Sequence, residues 1–350
     1  MDNTFSSVSI NFVLLDQAIN RYIPIPLLFV GVIGNILNIL VFTHKTFRNN
    51  ICATYFLAST IFDSHVIIIG LLPRLLYGFG IDPSQSSVVL CKVRFFITYF
   101  AGCTAAWFIS LACVERYLSS SISANRRKLI TMKRAYLSMV VVILIGFIVF
   151  GEEFYCIDIN QQLLGAPQSC YQRQANVQCQ IVDSLMQFLF ATLTPALMMI
   201  VFGFLTLRNI RQKHRRTNAV QTANTTIPKV PMTIACHFSA QQQSTNITTD
   251  SNSRSVLTRV NRTTRKRDAQ LITMLLVQVA VFVISSFPIS GYKLYAAATI
   301  YETKSNLRKS IENTIFNMSA ISLFLNNTIT FYIYTLCGDV FRKELMNCFI

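Results

Sequence analysis

Seven stretches of the chain are almost free of charged side chains: residues 23–42, 51–73, 95–114, 135–151, 184–207, 269–292 and 313–338. Each is continuous rather than alternating and so predicts a helix; at 1.5 Å per residue, about 20 residues cross a hydrocarbon core roughly 30 Å thick. Only Asp63 and His65 interrupt the second, and the fourth is short. After the seventh comes DVFRKELMN, which predicts an amphipathic helix in the membrane interface with Phe341 and Leu345 down. Cys348 follows it, where a palmitoyl chain would add an anchor. The expected architecture is all-α: a seven-transmembrane helix bundle with a short amphipathic eighth helix. Its parts are an amino-terminal segment (1–22), helices one to five (23–212), a polar loop (213–264), helices six and seven (265–337), and the amphipathic helix with a short tail (338–350).

Composition agrees. The chain is 52% hydrophobic and 13% charged, with a mean hydropathy of +0.46, too apolar for a water-soluble domain of 350 residues. The net charge of +16 is unevenly placed: most Lys and Arg fall after odd-numbered helices, in the long loop, at Arg116 or in the tail. That side is expected to be cytoplasmic, with the amino terminus outside and the protein multi-pass in the plasma membrane. The charge then reflects topology and attraction to anionic lipid, not a nucleic-acid footprint. The first twenty residues hold Asp2 and Asp16 but no basic region ahead of an apolar run, so no cleavable signal is expected. The 213–264 loop, rich in Ser, Thr, Gln and Asn with Asp250 as its only acid, is expected to be disordered. Its sequons at Asn224, Asn246 and Asn261 would face cytosol and carry no glycan.

Candidate chemistry is sparse. Asp63 is an acid in mid-membrane, and Asn35, Asn38, Asn326, Asn327, Thr328 and Thr330 are its expected companions. Such a group either binds a hydrated cation such as sodium, or titrates, or caps a static polar network. At the end of the third helix stand Glu115, Arg116 and Tyr117, where the bland alternative is an interfacial charge pair. Of the cysteines, Cys91, Cys156, Cys170 and Cys179 lie outside, where disulfides persist. Mid-loop Cys170 is the expected partner of Cys91, which leaves Cys156 and Cys179 free to pair with each other. HExxH, GxSxG and paired catalytic acids are absent, and the four histidines are scattered, so no enzyme is expected. A transporter would want paired membrane carboxylates and internal repeats.

The ordered set Gly34-Asn35, Asp63, Cys91, Glu115-Arg116-Tyr117, Pro195, Phe282, Pro288 and Tyr334 before Phe341-Arg342 resembles the rhodopsin-class (class A) G protein-coupled receptors. The likeness covers nearly the whole chain apart from the long loop. It implies an extracellular ligand, a heterotrimeric G protein, arrestin and a receptor kinase acting through the third cytoplasmic loop, and no cofactor. Asp268 falls twenty residues before Pro288, where the family often has an acid, so Arg116 is expected to be shared between Glu115 and Asp268. Pro288 would let repacking near Phe282 and Ser286 swing the inner half of helix six and open a groove at Arg116 and Tyr334. Departures from the pattern are plain. STIFD at 59–63 keeps only the acid, FVISSFP at 282–288 puts Ser286 where a tryptophan is usual, TFYIY at 330–334 keeps only the tyrosine, and Gly203 replaces a tyrosine.

Thr98 stands where amine receptors place an acid, and Phe324 where opsins have the retinal lysine. Acids Glu152, Glu153, Asp158, Asp183, Glu302 and Glu312 are interspersed with Tyr99, Phe154, Tyr171, Tyr292 and Tyr295. That mixture suits a short peptide carrying a basic and an aromatic residue. FGFLTLRNIR at 202–211 and FYIYTLCGDVFRKEL at 331–345 also resemble invertebrate FMRFamide-type neuropeptide receptors. The alternatives are a small-molecule or lipid receptor of the same fold, or a non-signalling decoy or transporter-like protein.

Overall fold

The computed structural model describes residues 12, 14–121, 123–159, 170–173, 176–225 and 250–348, with side chains except those of 214–225, 250–271 and 339–340. Seven helices long and apolar enough to cross a membrane follow in order: α1 (Leu14–Thr43), α2 (Ile51–Gly78), α3 (Val88–Ser120), α4 (Met132–Cys156), α5 (Val177–Lys213), α6 (Ile272–Ala298) and α7 (Asn306–Cys337). A short α8 (Asp339–Asn347) closes the series. The apolar window of α3 is 56% buried and that of α4 only 22%, which puts α3 at the centre and α4 on the rim.

Several helices outrun their apolar spans. α1 begins at Leu14 rather than 23, α3 at Val88 rather than 95, α5 at Val177 rather than 184 and α7 at Asn306 rather than 313. An apolar run stops at the first charge, but a helix continues wherever that charge finds a partner. Asn313 Nδ2 donates to Asp16 Oδ2 (2.5 Å), and Arg94 Nη1 donates to Asp82 Oδ2 (2.9 Å). Three of these starts are capped, with Ser87, Asn176 and Ser305 side chains accepting from backbone N–H groups of the first turns of α3, α5 and α7. Helical backbone also runs on from α5 to Thr225 and enters α6 from Asp250, which narrows the expected loop. The rest of that loop, and the side chains of Asn224, Asn246, Asn261 and Asp268, lie outside the described residues.

Two helices contain a wide, π-helical turn: Val66–Leu71 in α2 and Gln187–Leu193 in α5. Each ends two residues before a proline, Pro73 or Pro195. Proline lacks an N–H and its ring presses on the carbonyl four residues back; a widened turn relieves both problems.

Between α4 and α5, β1 (Ile157–Asp158) pairs antiparallel with β2 (Tyr171–Gln172), Ile157 opposite Gln172. Disulfides Cys91–Cys170 and Cys156–Cys179 fasten this hairpin across one end of the bundle. At the other end Phe42, Phe56, Tyr334 and Phe341 form a ring cluster with centroids 5.2–5.9 Å apart. Phe341, 1% exposed, seats α8 in it, and Leu345 packs against its edge. His44 Nδ1 and Glu344 Oε2, 2.8 Å apart, tie α8 to the α1–α2 turn.

Candidate functional site

The hairpin roofs a cavity of about 100 Å³ whose walls include Arg74, Tyr77, Arg94, Tyr99, Tyr171 and Phe316. α2 supplies Arg74, α3 supplies Arg94 and Tyr99, and α7 supplies Phe316. Arg74 Nε donates to Asn20 Oδ1 (2.7 Å) and its Nη2 to Asn317 Oδ1 (2.5 Å). Tyr171 packs edge-on against Phe316 at 5.7 Å, and burial holds its phenol well above the usual tyrosine range, so it stays a neutral hydroxyl. Gly70 belongs to this wall because a Cβ there would meet Thr98 at 2.8 Å and Phe324 at 2.9 Å.

Beside the cavity lies a dry charge cluster. Lys293 Nζ donates to Asp183 Oδ2 (2.8 Å) and Oδ1 (3.1 Å) and to Tyr99 Oη (3.1 Å), while Gln172 Nε2 donates to Asp183 Oδ2. Glu153, fully buried, lies against Asp183, with Glu152 at its flank. A second cluster sits at the rim, where Tyr295 Oη, Lys304 Nζ and Arg308 Nε all donate to the Glu312 carboxylate within 2.8–3.0 Å. Tyr292 packs on Phe316 at 5.4 Å. Of the acids expected to receive a basic ligand group, Asp183 and Glu312 are therefore engaged by this chain's own cations. The expectation missed Lys293 because it reads as the polar end of an apolar span; an acid at matching depth in α5 was the available signal.

Midway down the bundle the expected polar network divides. Asp63 is 1% exposed, and Ser59 Oγ donates to its Oδ2 at 3.5 Å and to Ala105 O on α3 at 3.2 Å. Asp63 is thus met by Ser59 of its own helix rather than by Asn38, whose amide has no hydrogen-bond partner among the described residues. Asn35 Nδ2 reaches Asn327 O (3.4 Å) and Asn326 Nδ2 reaches Asn327 Oδ1 (3.4 Å). Thr330 Oγ1 donates to Asn326 O (2.9 Å) and accepts from Gln278 of α6 at 3.5 Å. Ser286 is 1% exposed and lines, with Phe282, Asn326 and Asn327, a cavity of about 30 Å³. That is room for two or three waters at roughly 10–15 Å³ each. Pro288 sits half a turn beyond Ser286 inside α6.

At the end opposite the hairpin, Arg116 is 6% exposed. Its Nε lies 3.1 Å from Glu115 Oε2, and its Nη2 donates to Asn50 Oδ1 (2.9 Å). Asn50 Oδ1 also accepts from Ala53 N (3.3 Å), so one amide caps α2 and holds the arginine. Tyr117 packs on Phe202 of α5 at 5.5 Å, and Asn209 Nδ2 donates to Ser120 Oγ (3.1 Å). Tyr334 is fully buried in the ring cluster, and its hydroxyl has no hydrogen-bond partner among the described residues. The expected Arg116–Asp268 contact falls on a side chain outside the described residues.

Compared with known families, the chain matches the 7 transmembrane receptor (rhodopsin family) over residues 34–334. A comparison with curated proteins returns no match. The match begins at the Gly34-Asn35 pair and ends on Tyr334, so it takes in the cavity, the Asp63 region and Arg116 alike. With seven apolar helices, a disulfide from α3 to the hairpin and a buried arginine at the far end of α3, the chain belongs to the rhodopsin family of seven-transmembrane receptors, and is a multi-pass membrane receptor rather than an enzyme.

Proposed function

We propose that this receptor has its hairpin end outside the cell, takes its ligand there, and engages a heterotrimeric G protein at the Arg116 end. The observation that carries the reading is the placement of Arg116, buried and held by Glu115 and one neutral amide, at the far end of the helix whose other end lines the cavity. Holds of that kind are worth about 1–3 kcal/mol, small enough for a ligand preferring another arrangement to overturn. Between the two ends stand Pro288 and the loosely filled space at Ser286, where α6 can repack. Lys and Arg enrichment on the Arg116 side supports the orientation.

A short peptide is the ligand class we favour, on the aromatic lining of Tyr99, Tyr171 and Phe316, with Tyr292 packed on Phe316, and on the likeness to FMRFamide-type receptors. For a basic residue of that peptide the remaining receivers are Glu152 and Glu153. Asp63, with an Oδ1 lacking a partner among the described residues and Ser59 alongside, has the donor types a sodium ion would use. Exposed Cys348 stands ready for a palmitoyl chain. The long loop is rich in Ser and Thr, so receptor kinase and arrestin would act through it.

The test is a screen of short peptides on cells expressing the chain, reading calcium and cyclic AMP, with Arg116→Ala alongside. The expected outcome is a response that Arg116→Ala abolishes at unchanged surface expression. A response that Arg116→Ala leaves intact would overturn the coupling assignment.

A further inference from the structure

We propose that the cavity beneath the hairpin takes a carboxylate of the ligand between Arg74 and Arg94, with an apolar or aromatic body against Tyr171 and Phe316. The inference rests on the receptor reading above and assigns the ligand's chemistry at that site. The residues lining the cavity include two guanidinium groups and no acid. Arg94 has a counterion outside the lining: its Nη1 donates to Asp82 Oδ2 (2.9 Å) and Ser84 Oγ (2.9 Å). Arg74 has none in hydrogen-bond contact, since its partners among the described residues are the amide oxygens of Asn20 and Asn317. Asp16 feels Arg74 through space but accepts Asn313 Nδ2 instead.

Two of the five guanidinium N–H groups of Arg74 are thus used, leaving three without a protein acceptor among the described residues. Arginine keeps its charge, and an anion is the ligand group that complements it. The planar fork fits a carboxylate two-pronged. Three acids at this end are committed to other cations, Asp183 to Lys293, Glu312 to Lys304 and Arg308, and Asp82 to Arg94. Ile289, Tyr171 and Phe316 complete the wall and suit hydrocarbon or an aromatic ring rather than a polyanion. The shared chemistry is a carboxylate on an apolar body, which a peptide carboxyl terminus or a free organic acid can both supply.

The test uses the full-length receptor in phosphatidylcholine nanodiscs. One arm is a set of short peptides with an aromatic last residue, each as free acid and as amide; the other is a set of aryl and long-chain acids with their methyl esters. Binding is read by thermal shift. Acids of one arm are expected to bind about 10- to 100-fold more tightly than their amides or esters, and Arg74→Gln to remove that preference. Because Arg74→Gln also unties Asn20 and Asn317, the isosteric Asn20→Asp serves as the second variant. It places a carboxylate on Arg74 and is expected to weaken acid binding about tenfold while leaving the receptor folded. Amides or esters that bind as well as acids, an unaffected Asn20→Asp, or a folded receptor stabilised by no acid in either arm would each overturn the assignment. If amides alone drive Arg116-dependent signalling, the carboxylate site falls and the receptor reading stands. If acids bind but no response depends on Arg116, the reverse holds.

Discussion

At the hairpin end, two disulfides hold the roof, and the pairs Asp183–Lys293, Asp82–Arg94 and Glu312–Lys304 join separate segments. At the Arg116 end the described segments meet mainly through rings, Phe42, Phe56, Tyr334 and Phe341, with Arg116 and its Glu115 and Asn50 partners beside them. Covalent bonds and charge-assisted hydrogen bonds fix distance and direction; ring packing fixes little but area and tolerates sliding. The difference teaches how one bundle can present a pocket of constant shape on one face and a compliant surface on the other. Small shifts become large changes where packing has two good solutions.

The contrast can be broken hardest at the roof. Cys91 and Cys170 are 79 residues apart, and changing both to serine should cost about 4–5 kcal/mol through the freed loop. The measurement is thermal melting together with surface expression; a loss below about 1 kcal/mol would show that the roof is held by its other contacts. Next comes the buried pair. Lys293→Met should cost about 3 kcal/mol by leaving Asp183 uncompensated, and adding Asp183→Leu should restore most of it. Strict additivity of the two changes would show that they are not coupled. The smallest effect belongs to the compliant end. Asn50→Ala removes the α2 cap and one Arg116 partner, costing about 1 kcal/mol of stability. It should raise basal G protein signalling about tenfold, an amount equal to about 1.4 kcal/mol of population shift. Unchanged basal signalling would reduce Asn50 to a cap.

The sequence is most informative where one dimension suffices. Apolar runs locate seven helices because lipid requires an unbroken stretch, and the amphipathic stretch after Gly338 places α8 with Phe341 down. The helix starts at Leu14, Val88, Val177 and Asn306 escape such a reading: Asp16 and Asp183 find their partners far along the chain, and Arg94 and Arg308 find theirs in neighbouring turns that an apolar run does not report. The sign of the ligand site escapes it for the same reason. Acids and bases at this end are both visible in the sequence, but only the fold reveals that Lys293, Lys304 and Arg308 consume Asp183 and Glu312 while Arg74 is left with amides. Asn50 is hidden differently, as an ordinary turn residue whose second role needs α3 beside it.

The wide turn at Val66–Leu71 has one more implication. Every residue advances a helix by about 100°, so the extra residue accommodated there sets the angular bearing of everything after it on α2. Excising a single amino acid from those six, while leaving hydrophobicity untouched, would rotate Arg74 and Tyr77 away from the interior and present a guanidinium to acyl chains. In that hexad, tally outranks identity.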